Sequence, residues 1–395
     1  MLTRRGWTTA FGAAALLVGG RVLGFPEGYV GGAVLGALLV VSVAWLVATR
    51  LSIEVSRELH PPRVYAGTAS RIDLVVTNRA RRRSPLLALR DRVSGTRGAL
   101  LVVNPLAAGA SARAAYRFPT ERRGVVTIGP LEVEVADPLG LARLVIPATG
   151  ISELIIYPRI QPVPALPLTS GNDPLAGAEH PNALGRSGED FYALRPYVVG
   201  DDLRRVHWPS TARHDELLVR QDELPWQGRA TIVVDARASR HDAESIERAV
   251  TAAASIVAAV ARRQDLVRLV TSDGGDSGFA GGHAHVETIL EHLASLDLRG
   301  DDAYDRALDL LAGGTTGGAL VVVGGLVDRD DLEHLARVSR RFGTTLVVCT
   351  LAGDDELVAP RQAPGRTMRI VSYAAGDLED AWVEGSARPR AGLTR

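Results

Sequence analysis

Lysine is missing from the 395-residue chain, so all 45 of its Lys/Arg positions are arginine. Whatever the fold, that excludes a phosphate-loop Gly-Lys pair, a Schiff-base lysine and the lysine of a protein-kinase site. Cysteine is nearly missing too. Cys349 stands alone, so neither an intramolecular disulfide nor an all-thiolate zinc site can form. Set in the apolar run TTLVVCT, it reads as a small buried hydrophobe. Net charge is also absent, because 45 acidic residues cancel the arginines, and with it goes the general field that would gather nucleic acid nonspecifically. A composition 46% hydrophobic and 23% charged is too apolar for global disorder, and the length allows two or three domains of roughly 100 to 200 residues each.

What is present begins with two apolar runs. WTTAFGAAALLVGGRVLGF and YVGGAVLGALLVVSVAWLVAT are each about one bilayer crossing long, with only FPEG between them. They predict a transmembrane helical hairpin over residues 1–50, with Pro26 and Gly28 in an external turn and Trp7 and Trp45 near the opposite interface. Arg21 interrupts the first run close to its end, where the stem can carry the guanidinium to the headgroups. Arg4 and Arg5 precede the first run, Arg50 and Arg57 follow the second, and the connection holds only Glu27. Positive residues favour the cytoplasmic side, so both ends and the large remainder are expected there, as a multi-pass protein of an inner or plasma membrane with the lipid bilayer as a partner. Two readings compete: a cleaved signal peptide, which arginines ahead of an apolar stretch also suit, and a pair of buried core helices.

Residues 51–155 carry short segments such as ASRIDLVVTN, ARAAYRF and GVVTIGPLEVEVAD, which alternate with a period near two. They predict a β-rich, sandwich-like domain in which LEVEVAD turns leucine and valines to one face and glutamates to the other. The run RARRR ending at Arg83 reads as a solvated turn, with contact to anionic lipid as the alternative. Residues 156–227 are expected to form a linker, proline-rich as far as Pro181, and then a charged block. From 228 to 395 the rhythm changes to wholly apolar strands (RATIVVD, LVRLVTSD, GALVVVGG, TTLVVCT) alternating with amphipathic helices, the pattern of a parallel sheet covered on both faces.

Open parallel sheets bind ligands at the carboxyl ends of their strands, which directs attention to VVDARAS. Asp235 and Ser239 are hard oxygen donors of the kind magnesium takes, but Arg237 stands between them and would oppose a divalent cation or replace it by pairing with Asp235. After GALVVVGG the expected carboxylate position holds Gly324 and Gly325, with Asp328 further on. His283 and His285, in GGHAH, lack a third ligand nearby. The densest polar stretch, GRSGEDFYALRPYVVGDDLRRVHWPSTARHDELLVR, carries Glu189, Arg195, Asp201, Asp202, Arg204, Arg205, His207, Trp208, Arg213 and Arg220. Asp201 or Asp202 can cap a short helical turn that Pro209 stops, and ELLVRQDE reads as a strand. Charges at this density serve an ion-pair network or a docking surface more readily than acid–base chemistry, since no nucleophile with a matched base is evident.

From Gly188 to Arg220 this stretch resembles the block GE-F-LR-Y--GDD-R-I-W---AR---L-VR of the bacterial family of domains of unknown function numbered fifty-eight. Pro196 before Tyr197, Val206 for isoleucine and His207 for aspartate are the departures. The resemblance implies a paired membrane segment, a β-rich middle and a von Willebrand factor type A-like, three-layer α/β domain. It also implies a metal motif, Asp-x-Ser-x-Ser, of which Asp235 and Ser239 match the ends while Arg237 replaces the middle serine. It further implies, as partners, a MoxR-type AAA ATPase and a transglutaminase-like membrane protein. The expectation that follows is a membrane-anchored, noncatalytic interaction module without a cofactor unless it is magnesium, with a metal-assisted hydrolase using the acidic residues at the strand ends or in the charged block and an extracytoplasmic receptor as the rival classes.

Overall fold

The computed structural model describes residues 2–49, 51–164, 166, 191–198, 206–214, 216–222, 228–300, 302–313, 318–325, 327, 329–350, 368–373 and 376–387. The chain divides into two units, Met1–Tyr157 and Pro158–Arg395, so the expected hairpin and sandwich fall in the first, and the expected linker, charged block and α/β domain in the second.

In the first unit, α1 (Arg4–Leu23) starts where the Thr3 hydroxyl accepts from the Gly6 amide, and ends at Gly24, which takes the left-handed conformation. α2 (Glu27–Ala48) folds back so closely that a Cβ on Gly28 would stand 2.8 Å from the Leu16 carbonyl oxygen, an approach that only a small residue permits. Length and composition would let α2 cross a membrane, a test that a signal sequence near an N-terminus also passes; no other described helix passes it. Both free ends of the pair are tied to the β-domain. The Thr3 amide donates to the Leu141 carbonyl at 2.9 Å, and Leu46 is buried in the sandwich core.

That core lies between two sheets built from β1 (Ile53–His60), β2 (Arg63–Tyr65), β3 (Ser70–Asn78), β4 (Leu87–Val93), β5 (Ala99–Val103), β6 (Ser111–Phe118), β7 (Gly124–Ala136), β8 (Arg143–Thr149) and β9 (Ser152–Tyr157). One sheet runs β1-β3-β6; the other runs β2-β9-β7-β4-β5, with β8 also on β7. All pairings are antiparallel except β2 with β9. Alternation sends Ile72, Leu74 and Val76 of β3 and Leu131, Val133 and Val135 of β7 into the core, leaving Glu132 and Glu134 on the outer face. Arg57, expected among the charges that orient the membrane segment, is instead buried between the sheets. Its Nη1 donates to Asp91 at 2.9 Å, and Tyr116 donates to the other oxygen of Asp91 at 2.8 Å.

In the second unit, the proline-rich segment is an ordered crossing as far as it is described. The Gln161 amide donates to Ser255, and its side-chain oxygen accepts from Tyr373 and from the Leu378 amide. β10 (Phe191–Pro196) and β11 (Leu218–Asp222) pair antiparallel around α3 (Trp208–His214). Pro209 lies inside the first turn of α3, where a missing amide hydrogen costs nothing, so it does not stop this helix. Then follow β12 (Arg229–Val234), α4 (Ser245–Arg262), β13 (Leu266–Thr271), α5 (His283–Ser295), α6 (Asp302–Gly313), β14 (Ala319–Gly324), α7 (Arg329–Ser339), β15 (Thr344–Cys349), β16 (Met368–Ser372) and α8 (Leu378–Ala387). The sheet order is β13-β12-β14-β15-β16, parallel throughout, with antiparallel bridges from Asp276 and Ala280 to β13. Val233, Val270, Val322 and Val347 face α6 and α7 in one core, while α4 touches β12, β13, β14 and β15. Cys349 is buried in the first of these layers, which pushes its thiol up to about 12.

Candidate functional site

β12 lies where the strand order reverses. From it α4 leads to β13 on one side, and from β13 the chain returns to β14 on the other, and in open parallel sheets the carboxyl ends of two such strands are where ligands bind. Asp235 follows β12 directly, with its amide donating to the Val323 carbonyl at 2.8 Å.

Arg237 turns back onto that carboxylate. Its amide donates to Asp235 Oδ1 at 3.0 Å, its Nε to both oxygens at 3.1 and 3.0 Å, and its Nη2 to Oδ2 at 2.8 Å. The same guanidinium forms a two-pronged pair with Asp331 in the first turn of α7, with both bonds at 3.0 Å. The guanidinium carbon stands 4.0 Å from the centre of the buried Tyr304 ring, and Arg240 approaches Asp331 at 3.6 Å. Two carboxylates and two arginines thus cancel, with Asp235, Arg237 and Asp331 all buried. Burial alone would lower the Arg237 guanidinium, but its bonds to Asp235 and Asp331 hold it above its ordinary value. Burial raises the Tyr304 hydroxyl, and both carboxylates add to the effect.

Behind this cluster, His241 Nε2 lies 2.9 Å from the Asp235 carbonyl oxygen, so Nε2 carries the proton and Nδ1 accepts from Ser245 at 3.0 Å. Burial pulls the imidazole below its ordinary value, against the pull of the Asp235 and Asp242 charges. Gly325, directly after β14, has a packing reason, since a Cβ there would fall 1.8 Å from the Arg240 carbonyl oxygen.

A divalent ion would need Asp235 as a ligand, and both its oxygens accept from a guanidinium that fills the space between the two acids. The residues present therefore do not fit the metal that the resemblance implied. Ser239 is exposed on the same turn. No group of three or more His, Cys, Asp or Glu placed to hold a metal ion exists among the described residues. His285, in the first turn of α5, bonds the Val267 carbonyl at 3.0 Å, while His283 lies by Glu287.

A second polar cluster follows β13. Thr271 Oγ1 is 2.9 Å from His292 Nε2 and donates to Asp273, whose Oδ1 is 3.5 Å from that same nitrogen. Because hydroxyl and carboxylate share one ring nitrogen, the imidazole cannot pass a proton between them. A Cβ on Gly275 would lie 2.5 Å from the hydroxyl, so backbone covers the place a substrate would need.

Of the charged block, Arg195 and Arg220 sit in the paired strands opposite Val219 and Leu194. His207 bonds Ser210 at 2.8 Å, and Trp208 and Arg213 are exposed. Glu189, Asp201, Asp202, Arg204 and Arg205 lie outside the described residues, as do Asp328 and the cap expected at Asp201 or Asp202. Asp331, Tyr304 and Arg240 escaped the sequence reading. DRDD reads as ordinary helix-start acid, and nothing local ties it to an arginine 94 residues earlier.

Solved structures similar to parts of the chain include the CARDB domain of a Pyrococcus furiosus protein (14% identity, 27% of this chain and 91% of that one, TM-score 0.21). A β-glucosidase from Erythrobacter marinus (15% identity, 25% and 16%, TM-score 0.17) and one from Listeria innocua (10% identity, 26% and 16%, TM-score 0.17) are others. At such scores the likeness bears on neither fold nor function. No curated protein matches the chain. Residues 193–362, which run from β10 past β15 and include Asp235, Arg237 and Asp331, match the family described as "Protein of unknown function DUF58", and the match supports that family for this segment.

Proposed function

We propose that the protein is a membrane-anchored, noncatalytic interaction module. In this reading α1 and α2 both cross an inner or plasma membrane, the bulk of the chain is cytoplasmic, and the type A-like α/β domain docks a protein partner. A MoxR-type AAA ATPase is the first candidate and a transglutaminase-like membrane protein the second. The observation that carries the noncatalytic part is that the protein's own arginine occupies both carboxylates at the strand end. Asp235 and Asp331, the acids a metal-assisted hydrolase would use, both have their oxygens engaged by Arg237. The type A-like reading is supported by the parallel sheet with helices on both faces and by Asp235 and Ser239 at the matching positions. A second crossing by α1 is supported by its close packing on α2 and by the exposure of Phe11, Val18, Val22 and Leu23.

Full-length protein in detergent should retain a MoxR-type ATPase in a pull-down, and Asp202→Arg or Arg205→Glu should weaken it. No retention of the ATPase at micromolar concentrations by folded protein overturns the partner assignment. Protease added to intact cells should leave the large part uncut, and its digestion would favour the receptor class. Calorimetry with magnesium, manganese and calcium should show no binding, and a saturable heat from any of them would revive the hydrolase.

A further inference from the structure

α2 does not hang clear of the sandwich. Ser42 and Leu46 are buried, Leu46 within the sandwich core. Trp45 lines an open cavity of about 420 Å³ with Pro85, Leu86, Ala88, Glu134 and Asp137. The geometry of a crossing makes this contact consequential. α2 begins at Glu27, so Ser42 lies about 22 Å along it at about 1.5 Å per residue, whereas the hydrocarbon core is about 30 Å thick. With Glu27 at the outer boundary, the last two turns of α2 stand at the inner hydrocarbon edge, together with whatever packs on them. Tilting the helix only deepens them.

What packs there suits that depth. Leu86 and Leu139 are large exposed apolar side chains on loops at this end, and Trp45 is the kind of residue that settles at an interface. Asp137 is already satisfied, accepting from the Ala142 and Leu139 amides at 2.6 and 2.9 Å, and Glu134 accepts from Arg143 at 3.2 Å. Arg81, Arg82 and Arg83 are exposed directly before Ser84, Pro85 and Leu86. Arg4 and Arg5 are exposed at the start of α1, next to Thr3, whose hydroxyl bonds the Gly140 carbonyl in the same 137–142 loop.

We infer that the sandwich is seated in the headgroup layer of the membrane rather than suspended beneath it, with Trp45, Leu86 and Leu139 at the hydrocarbon edge and Arg81, Arg82 and Arg83 on anionic lipid phosphates. The inference rests on α2 crossing the bilayer, as proposed above, and extends it to a lipid-binding surface on the folded domain.

The test uses the full chain in nanodiscs, with an environment-sensitive fluorophore on one introduced cysteine at a time, since the native Cys349 is buried. Nitroxide lipids of different depth act as quenchers. Val34→Cys should be quenched by deep nitroxides, and Leu86→Cys and Leu139→Cys by shallow ones. Arg97→Cys, in the turn between β4 and β5 at the other end of those strands, should be quenched by neither. Quenching at Val34 with none at Leu86 and Leu139 overturns the seating and leaves the crossing intact, whereas no quenching at Val34 overturns both. Replacing phosphatidylcholine by phosphatidylglycerol should strengthen quenching at Leu86. Adding Arg81→Glu, Arg82→Glu and Arg83→Glu should abolish that gain, since an arginine near an anionic surface is worth roughly fivefold in lipid association. A response indifferent to phosphatidylglycerol overturns the assignment of the arginines to anionic lipid.

Discussion

In the first unit Arg57 meets Asp91 and Tyr116 between two sheets, and in the second Arg237 meets Asp235, Asp331 and Tyr304 at the carboxyl end of one. The parts are alike but their use differs. Arg57 has one carboxylate and spends its other prong on the Gly150 carbonyl and the Ser152 hydroxyl, so the cluster is a clamp joining β1, β4, β6 and the start of β9. Tyr116 is half-buried, and burial, followed by its bond to Asp91, raises its hydroxyl. Arg237 has two carboxylates, and Tyr304 offers it a ring face instead of a hydroxyl. A clamp between sheets holds two layers together. The same chemistry at a strand end occupies the one place in an open parallel sheet where a ligand would otherwise bind.

The clamp is the more costly of the two to break. Asp91→Ala leaves Arg57 charged and unpaired and strips Tyr116 of its acceptor, and should cost the first unit about 4 kcal/mol by denaturant midpoint. A loss no larger than that of a surface substitution would end the reading of Asp91 as the centre of the clamp. Asp331→Ala should cost the second unit less, about 3 kcal/mol, because Asp235 still holds Arg237. Equal losses would mean that the strand-end cluster is as structural as the clamp. Arg237→Ser sharpens the comparison from the other side. It leaves Asp235 and Asp331 with Arg240 as the one remaining arginine of the cluster, so millimolar magnesium should raise the variant's midpoint by about 1 to 2 kcal/mol and leave the native protein unchanged. No response in a folded variant would mean that the pocket lacks the shape for a cation even when the arginine is gone.

How far these clusters were legible depended on the distance over which their information runs. Strands and helices follow from periodicity within a few residues, as LEVEVAD shows by burying Leu131, Val133 and Val135. The pairing of Asp235 with Arg237 was open to inspection because they stand two positions apart. Asp331 and Tyr304 were not, because only the return of the chain through β14 and α7 brings them to Arg237. Arg57 was misread for the opposite reason. Beside an apolar helix a lone arginine looks like a membrane flank, and its burial depends on Asp91 in a strand of the other sheet. Pro209 was misread because the rule that proline ends helices holds for their interiors, not for their first turns.

The smallest expected effect is a matter of pH. Because burial holds His241 below the ordinary 6.5 in the folded protein, the unfolded chain takes up the proton first as pH falls. The stability from a neutral His241 is therefore fully present above about pH 6.5 and is lost as pH falls below that toward the folded value, with a slope of at most about 1.4 kcal/mol per pH unit. His241→Gln keeps a donor for the Asp235 carbonyl without a titrating ring, so its stability should fall less steeply than that of the native protein between pH 6.5 and 5. The clamp of the first unit includes no histidine, so its own midpoint should not separate variant from native over that window. Parallel curves for the second unit would show that the imidazole titrates alike folded and unfolded, and that the pocket behind Asp235 is wetter than its packing implies.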